Sequence, residues 1–261
     1  MTKVIAFANQ KGGVAKTTST INTAHALVDK GQRVLLIDAD PQASLSLVAG
    51  ISQQQLIELD RAGHTLHQAL LEKTPIQQTI FRVGGLDIIP GSIRLARIEQ
   101  ELQSYHGIAS VLRHLLAPLA ANYDAILIDC PPTLSLLTVN ALTSSQLVVI
   151  PCKTDFLSVM GIPLLMETIQ ETKARSNPSL RVLGILPTIF NASANHDRTL
   201  LENLKEVAQQ LGVTVWEPVP RSTTHDNSNA DRSSVVRAHP GSPGASRYSQ
   251  LADHIIAYGL Q

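Results

Sequence analysis

A short segment near the start of the chain combines the residue types that bind the phosphates of a nucleotide. It reads NQKGGVAKTTSTINTAHAL and covers residues 9–27. Gly12 and Gly13 allow backbone N–H groups to converge on an anion at the start of a helix. The ammonium of Lys16 can contact the outer phosphates, and the hydroxyl of Thr17 can bind a magnesium ion. This combination predicts a site for a magnesium–nucleotide complex.

The loop departs from the common pattern G-x-x-x-x-G-K-[ST], because Gln10 and Ala15 stand at its two glycine positions. Its context still favours phosphate binding, since an apolar run precedes the loop and a helical pattern follows and stops at Gly31. A glycine turn before an ordinary helix is the alternative for this loop taken alone. Because a Cβ atom at positive φ is strained, we expect Ala15 to have a negative φ.

Three carboxylates end two other buried runs of the sequence. Asp38 and Asp40 lie in VLLIDADPQAS, and Asp129 lies in AILIDCPPT. Each of them alone could cap a helix. Carboxylates at the carboxyl ends of parallel strands face the crevice where ligands bind, so three of them beside a loop with lysine and threonine indicate a magnesium–nucleotide site.

Apolar runs alternate with helical patterns along the whole chain, which predicts an α/β fold with a doubly wound, mostly parallel sheet and helices on both faces. The predicted strands cover residues 4–8, 33–38, 86–90, 124–129, 146–151, 181–187 and 213–219. The predicted helices cover residues 16–30, 107–121, 134–144, 159–173, 197–211 and 246–257. No repeat or long linker interrupts this pattern, so residues 1–261 are expected to form a single domain.

Composition limits the classes of function only weakly. The 261 residues include 21 Lys plus Arg and 21 Asp plus Glu, so any contact with nucleic acid must come from a local patch. Cys130 and Cys152 lie in apolar runs, and the sequence has no secretory signal and no apolar span near the length of a membrane helix. These features predict a cytoplasmic protein with reduced thiols.

Four segments together closely resemble the ParA/MinD group of deviant Walker ATPases, in particular the short, Soj-like ParA partition proteins. These are KGGVAKTT as the deviant Walker A loop, DADPQAS as switch I, LIDCPPTLSLLTVNAL as Walker B and switch II, and EPVPRS near the C-terminus. The resemblance covers nearly the whole chain. It implies the P-loop NTPase fold, ATP hydrolysis with ATP and Mg²⁺ as cofactors, and an ATP-dependent homodimer.

The resemblance also implies roles for single residues. Lys11 matches the lysine that reaches across the dimer, and Lys16 the lysine that holds the β- and γ-phosphates of its own subunit. Asp40 would orient the attacking water. The nucleotide would contact Gly12, Gly13, Val14, Ala15, Lys16, Thr17 and Thr18, with Asn191, Pro220 and Arg221 lining the base. The metal residues would be Thr17, Asp40 and Asp129.

Two functional classes share this ATPase and differ in the surface to which the ATP dimer attaches. Partition proteins bind non-specific DNA through scattered basic residues, and the candidates here are Arg198, Arg221, Arg232, Arg237 and Arg247. MinD-type proteins end in a basic amphipathic membrane helix, whereas the sequence RYSQLADHIIAYGLQ has one arginine and no lysine. The resemblance therefore favours a cytoplasmic, nucleoid-associated protein with a ParB-like or other cargo adaptor, and no membrane partner is expected.

Two alternatives stay open at this point. One is a MinD-like spatial regulator recruited to the membrane. The other is a P-loop enzyme acting on a metabolite, such as dethiobiotin synthetase, although DADPQAS and DCPP argue against it. Lys153, just beyond a predicted strand, is expected to emerge on the nucleotide face, where it could contact a partner or solvent.

Overall fold

The apolar runs of the sequence form the strands of one sheet in the computed structural model, which describes residues 2–102, 107–222 and 233–259. The strands are β1 (Lys3–Phe7), β2 (Val34–Asp38), β3 (Phe81–Val83), β4 (Leu86–Ile89), β5 (Ala125–Asp129), β6 (Leu147–Lys153) and β7 (Arg181–Thr188). Their order across the sheet is β3-β4-β2-β5-β1-β6-β7. Only β3 pairs antiparallel, at one edge, so the predicted mostly parallel sheet is confirmed.

Helices connect these strands. They are α1 (Lys16–Asp29), α2 (Ser44–Val48), α3 (Gln53–Arg61), α4 (Leu66–Leu70), α5 (Ile98–Glu101), α6 (Val111–Leu116), α7 (Leu136–Ser144), α8 (Phe156–Met160), α9 (Ile162–Arg175), α10 (Asn195–Gln210), α11 (Val235–Ala238) and α12 (Pro243–Ala257). Short 3₁₀ turns lie at Ile76–Thr79, Ile93–Arg97, Ile108–Ser110 and Ala117–Leu119.

The sheet is covered on both faces, as the doubly wound fold requires. Side chains of one strand alternate between the faces, so Val4 and Ala6 of β1 point into one core while Ile5 and Phe7 point into the other. The first core packs against α4 to α10, and the second against α1, α2, α11 and α12. The carboxyl ends of β1, β2 and β5 lie side by side, because β5 pairs with both other strands.

The prediction of a strand at residues 213–219 is wrong. This segment runs beside β7, but it forms only isolated bridges, Ile185 to Val215 and Phe190 to Pro220. Proline has no N–H to donate, and Pro187 on β7 faces a segment that itself contains Pro218 and Pro220. A continuous ladder therefore cannot form, and the segment closes the sheet edge through a few single hydrogen bonds.

Two predicted helices also differ from the structure. Residues 107–121 form a short α-helix flanked by two 3₁₀ turns, and the helix predicted at 159–173 begins earlier, as α8, and breaks at Gly161 before α9. Asp155 explains the earlier start, because its side chain accepts the N–H of Ser158 and caps α8. Strand β4 was predicted, but β3, the helices α2 to α5 and α11 were not.

Candidate nucleotide-binding site

The loop between β1 and α1 turns through two left-handed residues, and one of them is Ala15, for which the opposite sign of φ was expected. Ala15 is the N-cap of α1 and has φ 60° and ψ 34°, so the prediction of a negative φ is wrong. Gly13 is also left-handed, with φ 72°. The two turns fold the chain so that α1 can start directly behind the loop, and the Ala15 carbonyl accepts the N–H of Ser19 at 2.9 Å. The backbone of Ala15 is strained in this conformation, because an L-residue with a Cβ atom disfavours the left-handed region.

Contacts from distant parts of the chain fix this loop. Asn9 is buried and donates from Nδ2 to the Pro151 carbonyl at 2.8 Å, at the end of β6. Thr188, at the end of β7, donates from Oγ1 to the Val14 carbonyl at 3.1 Å. The loop is therefore held between the carboxyl ends of two strands and does not depend on its own sequence alone for its shape.

The first turn of α1 brings together the residues predicted to contact phosphate and metal. Thr17 donates from Oγ1 to Asp129 Oδ2 at 2.6 Å. The second oxygen of that carboxylate, Oδ1, is buried without a hydrogen-bond partner among the described residues. Lys16 is 7% exposed, and its ammonium donates to the Lys11 carbonyl at 2.9 Å. An ammonium, a hydroxyl and a carboxylate thus converge at one helix N-terminus.

Burial sets the electrostatics of this cluster. It lowers the pKa of Lys16, against the opposing attraction of Asp129. It also raises the pKa of Asp129 to about 8, and repulsion from Asp38 adds to this shift. Asp38 and Asp129 are register partners on β2 and β5, which explains why their charges interact. Burial and Asp38 therefore favour the protonated form of Asp129 in the free protein, and a bound cation would favour its charged form.

The DADPQAS segment is anchored by Asp38, one of the three strand-end carboxylates that the sequence places at the nucleotide site. Asp38 is fully buried, and its Oδ2 accepts the N–H of Ser46 at 2.8 Å and the Ser46 hydroxyl at 2.7 Å. Gly91 packs so tightly on this segment that a Cβ would lie 2.9 Å from the Asp40 carbonyl oxygen. Asp40 itself is half-buried and accepts the N–H of Gln42 at 2.9 Å.

Lys11 has a partner that the sequence did not reveal. Its ammonium lies 2.5 Å from Asp155 Oδ1, and Lys153 lies 3.4 Å from the other oxygen of the same carboxylate. Although burial alone raises the pKa of Asp155, hydrogen bonds from Lys11 and Ser158 lower it to about 2. Asp155 and Ser158 have the spacing of a helix cap, which was a usable signal for α8 but not for the ion pair.

The residues predicted to line the base lie together. Phe190 and Pro220 form a bridge, and the Arg221 N–H donates to the Phe190 carbonyl at 2.8 Å, so Asn191 and Arg221 follow the same junction. This junction begins two residues after Thr188, which contacts the phosphate loop. Contact with a base stays a prediction for these residues.

The predicted DNA-binding arginines lie in different parts of the molecule. Arg198, near the start of α10, donates to the Ala192 carbonyl at 2.8 Å, and Arg221 is exposed at the same edge of the sheet. Arg237 lies 3.0 Å from Asp29, in the last turn of α1, and Arg247 lies 3.7 Å from Glu217. Arg232 lies outside the described residues. Contact with DNA stays a prediction for all five.

Comparison with known proteins identifies the family. The family model described as an AAA domain matches residues 2–182. The chromosome partitioning protein ParA of Caulobacter vibrioides is 35% identical over 261 residues, covering 98% of this chain and 94% of that protein. The chain belongs to the ParA/MinD family of ATPases. Within this family, the sporulation initiation inhibitor protein Soj of Bacillus subtilis is 34% identical over 99% of this chain and 100% of its own length.

Solved structures extend the comparison with this ATPase family. A protein named cobyrinic acid a,c-diamide synthase from Mycobacterium smegmatis, crystallised with an ATP analogue and magnesium, superposes with a TM-score of 0.86 at 33% identity, over 99% of this chain and 95% of that chain. The same protein was crystallised with ADP and magnesium. In the part of this ATPase that the structure describes, no helix has the length and apolar character needed to cross a membrane.

Proposed function

We propose that this ATPase binds Mg·ATP at the loop of residues 10–18, dimerises in the ATP state, and uses the dimer to bind DNA without sequence preference. Hydrolysis, stimulated by an adaptor protein, would release the dimer and so segregate or position a cargo. The convergence of Lys16, Thr17 and Asp129 at the first turn of α1 is the observation that carries this proposal.

The residues fit a magnesium–triphosphate group. Magnesium is bound in such sites by one or two carboxylates together with phosphate oxygens. Thr17 and Asp129 would hold it, with Asp40 close by, and the buried Asp129 Oδ1 offers an acceptor without a partner among the described residues. When bound, magnesium neutralises charge on the β- and γ-phosphates. Lys16 would exchange the Lys11 carbonyl for phosphate oxygens.

Hydrolysis needs an oriented water and charge neutralisation more than covalent chemistry. Asp40 lies on the segment that Asp38 anchors through Ser46 and that Gly91 packs against, which supports the proposal that its carboxylate orients that water. Lys11 would leave Asp155 and reach the γ-phosphate of a second subunit, in the manner of an arginine finger. This second lysine would couple hydrolysis to dimerisation.

DNA binding follows from dimerisation. Two copies double the number of phosphate contacts on one body, and effective concentration makes the second set of contacts easier to form than the first. Arg198 and Arg221 are the candidates nearest to the nucleotide edge. A dimer bound in this way would be found on the nucleoid, and fluorescence microscopy of a tagged, ATP-locked variant tests that location.

Two substitutions test the proposed site by giving opposite results. Lys16→Ala should abolish ATP binding, because the buried triphosphate loses its main cation, whereas Asp40→Ala should keep ATP binding and accumulate the ATP dimer. Nucleotide titration, steady-state hydrolysis and sedimentation velocity measure these effects. Hydrolysis by Asp40→Ala at the rate of the unmodified protein would disprove the assignment of Asp40.

A salt titration tests the DNA proposal. The logarithm of DNA affinity should fall linearly with the logarithm of salt concentration, with a slope of roughly −0.9 per phosphate neutralised. Arg198→Ala or Arg221→Ala removes a phosphate contact, so each should weaken binding to all duplexes alike and make that slope less steep. Arg82→Ala is the control, because Arg82 is 70% exposed on the β3–β4 hairpin and pairs with Asp87. Equal DNA affinity with ADP and ATP would contradict the proposal.

Membrane recruitment is the competing proposal within the same family. The apolar face of α12 is buried, with Tyr248, Leu251 and Ile255 in the core beside α1, so this helix is not available as a membrane anchor. Binding to anionic liposomes in the absence of DNA binding would nevertheless move the protein to that class.

The name of the Mycobacterium smegmatis relative supports a second candidate function, an ATP-dependent amidation of a metabolite carboxylate. In that case ATP would activate the acid, and hydrolysis would depend on the acid and on an amine donor instead of on DNA and an adaptor. Measuring ATP turnover with cobyrinic acid and glutamine, against turnover with duplex DNA, separates the two candidates.

A further inference from the structure

The chain leaves β7 through a strained residue. Ile189 directly follows the last residue of this strand and has φ 56°, in the left-handed region. A β-branched residue is a genuine outlier in that region, because its Cβ atom and branched side chain clash with the backbone. Strained backbone persists only where surrounding contacts hold it, and it clusters at ligand-binding sites. Contacts on both sides of Ile189 must therefore fix this turn.

The turn at Ile189 separates two parts of the proposed nucleotide site. Before it, Thr188 donates from Oγ1 to the Val14 carbonyl of the phosphate loop at 3.1 Å. After it, Phe190 and Asn191 begin the junction that is proposed to line the base. The conformation of the turn therefore sets where Asn191 lies relative to the phosphates of a bound nucleotide.

One carboxylate oxygen holds the far side of the turn. Asp197, in the first turn of α10, accepts the N–H of Asn191 at Oδ2, at 2.8 Å. The same oxygen accepts the hydroxyl of Thr154 at 3.1 Å. Thr154 directly follows β6 and is only 4% exposed, so it braces the Asp197 side chain from the interior of the protein. Asp197 thus connects the base-lining junction to the end of a central strand.

Stabilisation of α10 is the other role that an acidic residue in a first helical turn can have. Both of the hydrogen bonds described above come from groups outside α10, however, one from the backbone of Asn191 and one from the side chain of Thr154. A carboxylate that only stabilised the helix would need neither bond. The geometry of Asp197 therefore serves the junction as well as the helix.

The side chain of Asn191 is exposed and oriented by its own turn. Its Oδ1 accepts the N–H of Ser193 at 3.1 Å, which restricts the rotation of the amide. An oriented side-chain amide can donate to N7 of adenine and accept from the exocyclic amino group. We propose that Asp197 is a positioning residue that presents Asn191 to the adenine of ATP, a role that rests on the base contact of the proposed function. Asp197 acts through Asn191 and does not touch the nucleotide itself.

Asp197→Ala tests this role when ATP is compared with inorganic tripolyphosphate, which has the phosphates but no base. The affinity for Mg·ATP should fall about tenfold, as expected for the loss of one hydrogen bond to a charged group, and the affinity for Mg·tripolyphosphate should not change. Asp197→Asn keeps an acceptor oxygen and should restore most of the ATP affinity. Glu202→Ala is the matched control, because Glu202 is an exposed carboxylate of the same helix, 2.8 Å from Lys205. Isothermal titration calorimetry measures both affinities.

Thr154→Val keeps the role of Asp197 falsifiable if Asp197→Ala is unstable. Valine has a similar shape but lacks the hydroxyl that braces Asp197, so the affinity for ATP should fall, by less than in Asp197→Ala, and the affinity for tripolyphosphate should not. Because Asp197 acts through Asn191, Asn191→Ala should lower ATP affinity in the same selective way. Adding Asp197→Ala to Asn191→Ala should then cause little further loss, whereas independent sites would give additive losses.

The outcomes separate this role from the rest of the proposed function. Equal losses of affinity for ATP and tripolyphosphate in Asp197→Ala, or no loss of ATP affinity, would refute the role of Asp197. Full ATP affinity in Asn191→Ala would refute it too, and ATP-dependent dimerisation and DNA binding would still stand. A selective loss of ATP affinity in a chain that neither dimerises nor binds DNA would refute those parts of the proposed function and support the role of Asp197. Failure of the unmodified chain to bind Mg·ATP would refute both.

Discussion

Replacing Ala15 by glycine should stabilise the protein, which is the reverse of the usual effect of glycine in a helix-forming segment. Ala15 has φ 60° and ψ 34° at the N-cap of α1. An L-residue in the left-handed region costs roughly 1–2 kcal/mol, which glycine avoids. Glycine also gains freedom in the unfolded chain, which costs roughly 0.4–1 kcal/mol. The difference ranges from about 0 to 1.6 kcal/mol in favour of the variant, with a central value of roughly 0.8 kcal/mol.

For a chain of this size, that gain corresponds to an increase in Tm of about 1–4 °C. Differential scanning calorimetry without nucleotide measures it. Affinity for ATP should change little, because the backbone of Ala15 already has the conformation that glycine would adopt. Ala43→Gly should behave in the same way, since Ala43 has φ 51° at the start of α2.

Ala24→Gly provides the opposite control. Ala24 lies buried in the middle of α1, where glycine costs about 1 kcal/mol relative to alanine in addition to the lost methyl packing. Its Tm should therefore fall. A decrease in Tm for Ala15→Gly comparable to that for Ala24→Gly would show that Ala15 is unstrained, and the reasoning from its φ would be refuted.

Two further predictions concern the charges of the site. Asp129→Asn should raise the Tm of the nucleotide-free protein. The difference in Tm between the variant and the unmodified protein should widen as pH rises from about 4 toward 8, because the folded-state pKa of Asp129 is raised to about 8 and its ionisation opposes folding over that range. A difference in Tm that does not change over pH 5.5–8.5 would contradict this. Asp155→Asn keeps an α8 cap but loses the ion pair with Lys11. The free energy of unfolding should therefore change by less than about 1 kcal/mol, while the ATP dimer forms at lower protein concentration. Lys153→Ala is its control in sedimentation velocity, since Lys153 contacts the same carboxylate.

The fold and the position of the glycine-containing loop between β1 and α1 could be predicted from sequence because their signals are local. Each buried parallel strand is a short apolar run, and the helix after each run supplies the crossover. The carboxylates of Asp38 and Asp129 follow from the same logic, since they end such runs, and the structure places them as register partners on β2 and β5. The strand predicted at residues 213–219 shows the limit of this reasoning, because Pro187 on the neighbouring strand decides whether a ladder can form.

Ala15 shows a second limit. Its type predicts a negative φ, but the chain around it is fixed by Thr188 and Pro151, which bond to the loop from two strand ends. These contacts outweigh a local strain of roughly 1–2 kcal/mol. The sequence shows the preference of alanine for a negative φ, but it does not show the contacts of the loop with Thr188 and Pro151, so the two cannot be compared before the structure is known.

The sequence by itself determined that this chain is an ATPase of the ParA/MinD family, because the segments that carry the resemblance are each recognisable within a few residues. Only the tertiary structure decided how they are arranged before nucleotide binds. The ion pair of Lys11 with Asp155 joins residues 144 positions apart, and no periodicity or spacing encodes that distance. The apolar residues of α8 are a similar case, since Phe156, Leu157 and Met160 look like core residues in the sequence but lie on the side of the helix that faces away from the sheet and are exposed.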